Sequence, residues 1–175
     1  MSGPLPGDFE AILRVLCGHG TDFIVVGGVA AVLEGAPLNT FDLDIVHSRD
    51  AENVARLLAA LRALDAVYRT NRQLRPGESH LSSPGHQRLI TRLGPLDVLG
   101  HIGRSRGYQE LLPHTVEADL GGGFAVRVLN LETLIAVKED LGRDKDLAAL
   151  PTMRQTLAEK RRLHSPPARP APLGQ

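Results

Sequence analysis

The sequence has few of the residues that mark disulfide-stabilised or base-stacking proteins. Its 175 residues include one cysteine, Cys17, so no disulfide can form within the chain. Tryptophan is absent and aromatic residues make up 3%, which argues against the stacking platforms of single-strand RNA-binding modules. Cys17 lies in an apolar run, and we expect a buried thiol without a reactive role.

The sequence also lacks an excess of charge and a long hydrophobic run. Lys plus Arg number 20, as do Asp plus Glu, so the net charge indicates no nucleic-acid footprint, although a local basic patch is still allowed. The N-terminus has no basic stretch followed by an apolar one, and no apolar run approaches the roughly 20 residues that span a bilayer. We therefore expect a cytoplasmic protein that makes no membrane contact.

Short apolar runs alternate with helical repeats, which predicts one α/β or α+β domain over residues 8–163. A chain of this length can bury a sizeable core as one domain. We expect a mixed β-sheet of five or so strands, flanking helices, a C-terminal helical segment from 131 to 163, and an exposed loop over 70–84. Residues 164–175 contain four prolines and are predicted to form a disordered tail.

A glycine pair follows the first predicted strand. Residues 23–26 form a continuous apolar run, typical of a strand that is buried on both faces. Gly27 and Gly28 end this strand, and at glycine the backbone can approach a ligand closely. A short helix is predicted over 29–34, and the free amides at a helix N-terminus favour a phosphate. The pair therefore predicts a phosphate-binding turn.

Carboxylates mark two further predicted strands. Residues 40–46 alternate strictly, with Thr40, Asp42 and Asp44 on one face and apolar residues on the other. Neighbouring carboxylates repel each other, and a hard divalent cation such as Mg²⁺ would offset that cost. Asp97 points away from its apolar neighbours in a later strand and is a plausible third ligand. Three carboxylates can hold two metal ions and stabilise both the attacking and leaving oxygens of a phosphoryl displacement.

Simpler interpretations are open at each of these positions. The glycine pair could be only a tight strand-to-helix turn, Asp42 and Asp44 could form the solvated face of an edge strand, and Asp97 could belong to a turn. The seven histidines show no spacing typical of a metal site. His47 and His101 follow the carboxylate strands, where we expect exposed loop histidines.

The combined motifs resemble those of the DNA polymerase β-type nucleotidyltransferase superfamily. The likeness rests on the glycine pair, on Asp42-Leu-Asp44 in a strand, and on a later strand aspartate. More narrowly, the chain is similar to the bacterial minimal and AbiEii-like nucleotidyltransferases, many of which are toxins or antitoxins. A helix with Lys138, followed by Arg143-Asp-Lys-Asp146, adds to this likeness, which covers about residues 9–150.

This resemblance implies a nucleotidyltransferase fold and a metal-dependent enzyme. The enzyme would use Mg²⁺ or Mn²⁺ to move a nucleoside monophosphate from ATP or another NTP to an acceptor hydroxyl on RNA, protein or a small molecule. A cognate toxin or antitoxin is a further implied partner. The catalytic metal ligands would be Asp42, Asp44 and Asp97, of which Asp97 would also help deprotonate the acceptor. The implied nucleotide-binding residues are Gly27, Gly28, Thr40, Lys138, Arg143 and Lys145.

Two positions depart from the pattern of the bacterial minimal group. Glu34 stands where that group often has histidine, and Leu38 stands where it often has arginine. The loss of a cation beside the metal site leaves room for a different substrate, or for a non-catalytic module that binds a nucleotide or a partner protein. Asp146 has two open roles, since it could act in the site or hold Lys138 or Arg143 in place.

Overall fold

A mixed seven-stranded sheet with seven α-helices forms the part of the chain that the computed structural model describes, residues 8–165. The strands are β1 (Phe23–Val26), β2 (Leu43–His47), β3 (Val67–Tyr68), β4 (His86–Thr91), β5 (Gly94–Leu99), β6 (Thr115–Asp119) and β7 (Ala125–Leu129). The helices are α1 (Phe9–Gly18), α2 (Gly27–Leu33), α3 (Ala51–Ala63), α4 (Glu78–Ser82), α5 (Tyr108–Leu111), α6 (Leu131–Leu141) and α7 (Asp144–His164). The predicted α/β fold class is confirmed, with more strands than the expected five or so.

The sheet places β2 at its centre, in the order β3-β4-β5-β2-β1-β7-β6. β2 pairs antiparallel with β1 and parallel with β5. Its apolar residues Leu43, Ile45 and Val46 are fully buried, as is most of β1. A strand enclosed in this way cannot slip by one residue without burying the wrong side chains, so the register around β2 is well determined.

Side-chain caps explain where several helices begin. The Asp8 carboxylate accepts a hydrogen bond from the backbone N–H of Ala11 at the start of α1. Asp50 caps α3 and Asn130 caps α6 in the same way. At the end of α6, Gly142 adopts the left-handed conformation that favours glycine. None of the helices within residues 8–165 combines the length and apolar character needed to cross a membrane.

Two local predictions were wrong. The second strand begins at Leu43 rather than residue 40, and Phe41, which belongs to the apolar set of the predicted alternation, is 70% exposed. The pairings with β1 and β5 do not extend past Leu43, so nothing holds the preceding residues in the sheet. The predicted loop over 70–84 contains the short helix α4. The last helix, α7, ends at His164, one residue from the predicted end at 163, and residues 166–175 of the predicted tail lie outside the described residues.

Candidate functional site

Asp44 and Asp97 lie side by side on the sheet. In the parallel pairing of β2 with β5, Asp44 is the direct partner of Asp97. Adjacent strands are about 4.8 Å apart, and directly paired residues point to the same face. The flanking residues Leu43, Ile45 and Val98 are fully buried on the opposite face and hold both strands in this orientation. The alternation in the sequence therefore predicted the facing of both aspartates correctly.

Asp42 reaches the same area from the loop that precedes β2. The alternation in the sequence predicted that Asp42 lies in the same strand as Asp44. This was wrong, because β2 begins at Leu43, the residue after Asp42. Thr40 donates a hydrogen bond from Oγ1 to the backbone carbonyl of Asp42 at 3.2 Å, which shapes the turn into β2. The Asp42 side chain is 41% exposed, compared with 13% for Asp97.

Arg69 joins two of the aspartates and was not anticipated from the sequence. Its Nη2 lies 2.6 Å from Oδ1 of Asp97, and its Nη1 lies 3.4 Å from Oδ2 of Asp42. Its Nε also donates to the backbone carbonyl of Leu89 at 2.9 Å. Arg69 directly follows the two-residue strand β3, and its backbone N–H continues the ladder by donating to Arg88. An arginine at the end of so short a strand has no distinguishing pattern in the sequence.

The glycine pair makes room for the site's own side chains. Gly27 has a φ of 68°, a conformation that favours glycine, and a Cβ at this position would overlap Oδ2 of Asp44. A Cβ at Gly28 would lie 2.8 Å from Oγ1 of Thr40, closer than real Cβ contacts allow. These contacts give the two glycines a structural reason that is independent of phosphate binding. Their predicted contact with phosphate stays a prediction.

The Asp44 carboxylate is in an unfavourable environment. Burial, together with the negative charges of Asp97 and Asp42, raises the pKa of Asp44 to about 7, against the lowering effect of Arg69 and Lys145. No hydrogen bond to this carboxylate is formed by any of residues 8–165. Burial also raises the pKa of Asp97, although Arg69 opposes the shift. The site therefore has carboxylate charge that its own cations compensate only in part.

The three predicted C-terminal cations differ in their surroundings. Lys138 Nζ lies 3.0 Å from Oδ1 of the buried Asp146, and Arg143 Nε lies 2.5 Å from its Oδ2. Asp146 thus holds both cations in place, which is one of the two roles that the sequence left open. Lys145 is exposed, and its charge acts on Asp44. Lys145 is therefore the best placed of the three to meet an anionic ligand beside the aspartates.

Glu34 and Leu38, the two positions that depart from the pattern of the bacterial minimal group, both contact other parts of the structure. Oε2 of Glu34 accepts a hydrogen bond from the backbone of Leu131, the first residue of α6, at 3.3 Å. The same oxygen lies 3.1 Å from Nζ of Lys160 in α7. Leu38 packs, partly buried, against the hydrophobic core. Glu34 therefore joins α2 to the two C-terminal helices, and neither residue supplies a cation.

His47 is buried, contrary to the expectation of an exposed loop histidine. Its Nε2 lies 2.8 Å from the carbonyl oxygen of Leu81 and its Nδ1 lies 3.1 Å from that of Leu99. Burial lowers the pKa of His47. A concavity of about 500 Å³ adjoins His47, and none of the three aspartates lines it. His47 thus ties β2 to neighbouring segments, away from the carboxylates.

The donor set suits a hard divalent cation, and a guanidinium already serves as its counter-charge. Carboxylate oxygens are the ligands that Mg²⁺ prefers in proteins. Within residues 8–165, no three His, Cys, Asp or Glu side chains are gathered closely enough to coordinate a single ion. Arg69 instead bonds one oxygen of Asp42 and one of Asp97. The chemistry of the three aspartates suits a metal ion, but their arrangement around Arg69 does not form a three-ligand site. Metal binding by these residues stays a prediction.

Comparisons with known proteins bear on the fold. No family model matches the sequence, and no curated protein is significantly similar to it. Among solved structures of similar fold is the crystal structure of a "putative nucleotidyltransferase" from Thermotoga maritima. It is 18% identical to this chain and superposes with a TM-score of 0.54, covering 86% of this chain and 93% of the other. The chain therefore has the nucleotidyltransferase fold.

Proposed function

We propose that this protein is a metal-dependent nucleotidyltransferase, which moves a nucleoside monophosphate from an NTP to an acceptor hydroxyl. The observation that carries the proposal is the pairing of Asp44 with Asp97 across two adjacent strands, with Asp42 in the loop beside them. Burying carboxylates together is costly unless a cation compensates them. The raised pKa of Asp44, about 7, is a measure of that cost.

In the proposed reaction, Asp42, Asp44 and Asp97 would hold Mg²⁺ or Mn²⁺. A bound divalent ion would stabilise the charge that develops on the transferred phosphoryl group. Asp97 would accept the proton of the acceptor hydroxyl. The hydroxyl oxygen would bond to the α-phosphorus of the NTP as pyrophosphate leaves. A carboxylate with a raised pKa is a better base for this step. Lys145 and the turn formed by Gly27, Gly28 and Thr40 would contact the triphosphate.

Titration calorimetry of each NTP, with and without Mg²⁺, tests the proposal. The native chain is expected to bind at least one NTP only when Mg²⁺ is present. In the variant Asp42→Asn/Asp44→Asn, this binding is expected to disappear because two of the three carboxylate ligands become neutral amides. Asp119→Asn is a suitable control, since Asp119 is exposed in the β6–β7 turn and its hydrogen bond to Gly121 can be made by an amide oxygen.

A non-catalytic module of the same fold is the second candidate function. The observation that favours it is Arg69, because a guanidinium that already bonds two of the three carboxylates can serve as a permanent structural counter-charge. Such a module would bind a nucleotide without metal, or would bind none. Binding that is independent of Mg²⁺ and equal in the native chain and in Asp42→Asn/Asp44→Asn would select this candidate over the enzyme.

A further inference from the structure

We infer that Arg69 takes the place of one of the two divalent ions that a three-carboxylate site can hold, so that this site binds a single ion. The inference rests on the proposed function and specifies how its site is built. Arg69 would be a positioning residue, which supplies a fixed positive charge between Asp42 and Asp97. It would thereby leave a single divalent ion to be recruited from solution.

The position of the guanidinium supports this role. An ion shared by Asp42 and Asp97 would have to lie between their carboxylates, and this is where Nη1 and Nη2 of Arg69 lie, at 3.4 and 2.6 Å from them. The planar fork of arginine matches such an arrangement, and it stays charged at any pH that proteins experience. A second divalent ion at the same place would meet both the steric bulk and the repulsion of this group.

Arg69 is held in this position by more than its ion pairs. Its Nε donates to the carbonyl of Leu89 at 2.9 Å, and its backbone N–H donates to Arg88 at 3.1 Å. Its side chain is 29% exposed, so most of it is enclosed by the protein. A side chain anchored at both its backbone and its Nε is more constrained than a surface arginine that pairs through its tip alone.

The remaining oxygens and charges suit one further cation. Arg69 uses Oδ2 of Asp42 and Oδ1 of Asp97, which leaves the other oxygen of each residue and both oxygens of Asp44. Three ionised carboxylates and one guanidinium carry two net negative charges, which one divalent ion neutralises. The single ion is expected at the carboxylate of Asp44, to which no residue within 8–165 donates a hydrogen bond.

The number of Mn²⁺ ions bound per chain tests this inference without any activity measurement. Mn²⁺ alone is titrated into the 175-residue protein at pH 8, above the pKa of Asp44, and free Mn²⁺ is followed by its electron paramagnetic resonance signal. The native chain is expected to bind one ion. Arg69→Ala is expected to bind two, because the guanidinium no longer fills the second position. Arg69→Gln is expected to do the same, and it retains a donor for the carbonyl of Leu89.

Arg75→Ala is the matched control. Arg75 lies in the same β3–α4 connection and carries the same charge, but it is 58% exposed and its partner is Asp65, at 4.0 Å. This variant is expected to bind one ion, like the native chain. Loss of structure in a variant cannot create a second metal site, so a gain of one ion in the Arg69 variants is specific to the inference.

Other results would overturn it in distinguishable ways. Two ions bound by the native chain, or one ion bound by both Arg69 variants at whatever affinity, would refute the role of Arg69 and leave the proposed function standing. If neither the native chain nor any variant bound Mn²⁺, the proposed function would fail and the inference would fail with it.

Discussion

Replacing Asp44 by asparagine is expected to stabilise the metal-free protein at neutral and alkaline pH. The native carboxylate is buried beside Asp97 and Asp42, and this environment raises its pKa from an ordinary value of 3.8 to about 7. The difference corresponds to an upper limit of roughly 4 kcal/mol in the free energy of unfolding above pH 7. An amide of the same shape carries no charge and does not incur this cost.

The pH dependence has a definite sign. Because the pKa of Asp44 is higher in the folded protein than in the unfolded chain, the native protein loses stability as the pH rises from about 4 to about 7. Asp44→Asn lacks this loss, so the difference in stability between the two proteins should grow over that range. Groups that titrate in both proteins contribute equally to their stabilities and cancel in the difference between them. His47, whose pKa is lowered by burial, is one such group.

Urea denaturation at pH 5 and at pH 8, without divalent metal, measures this effect. Asp44→Asn should be more stable than the native protein at pH 8, with a smaller gain at pH 5. Asp119→Asn, at an exposed turn position, should follow the native protein at both values. An Asp44→Asn variant that is less stable than the native chain at pH 8 would show that the carboxylate is stabilised by contacts other than those described above.

Replacing Asp146 by asparagine is expected to produce the largest loss of stability. Asp146 is 2% exposed and pairs with both Lys138 and Arg143, so it links α6 to the start of α7. Burial alone would raise the pKa of Asp146, but the hydrogen bonds from Arg143 and Lys138 outweigh it, and the pKa is lower than usual. Removing one member of a buried ion pair costs about 3 to 5 kcal/mol, because the partner charge stays buried. The exposed position of Arg143 favours the lower end of this range.

The measurement is the free energy of unfolding in urea at pH 7. Asp140→Asn is the control, since Asp140 lies on α6, the helix that carries Lys138, and pairs at 3.3 Å with Arg106, with both side chains about one-third exposed. Pairs of this kind contribute at most about 1 kcal/mol. Equal stabilities for Asp146→Asn and Asp140→Asn would contradict the view that Asp146 is a structural anchor.

Strand periodicity predicted the geometry of Asp44 and Asp97 because each lies in a buried strand. When every second residue of a strand is buried in the core, the residues between them must point to the opposite face of the sheet. Asp42 lies two residues from Asp44 in a matching alternation, yet it is outside the sheet. Alternation indicates only which face a residue would take, and whether a partner strand extends far enough is a tertiary property. The pairing of β2 ends at Leu43, which the sequence does not indicate.

Residues that act through distant contacts were harder to predict. Arg69 reaches Asp97 from the end of β3, which is two positions from β5 in the sheet, and Asp97 lies 28 positions later in the sequence. Glu34 meets Leu131, 97 residues later. Neither contact has a local periodicity, so no motif could point to it. The role of Asp146 was foreseen as one of two alternatives because its partners Arg143 and Lys138 are only three and eight residues away in the sequence.

The titration of the Asp44 carboxyl group, with and without Mg²⁺, tests most directly whether it is a metal ligand. Carbon-13 NMR of its side-chain carboxyl reports the pKa, with Asp44→Asn used to assign the resonance. Without metal, we expect a pKa near 7, and saturating Mg²⁺ should lower it because the ion binds only the deprotonated form. A pKa that stays near 7 at saturating Mg²⁺ would contradict the proposed metal site.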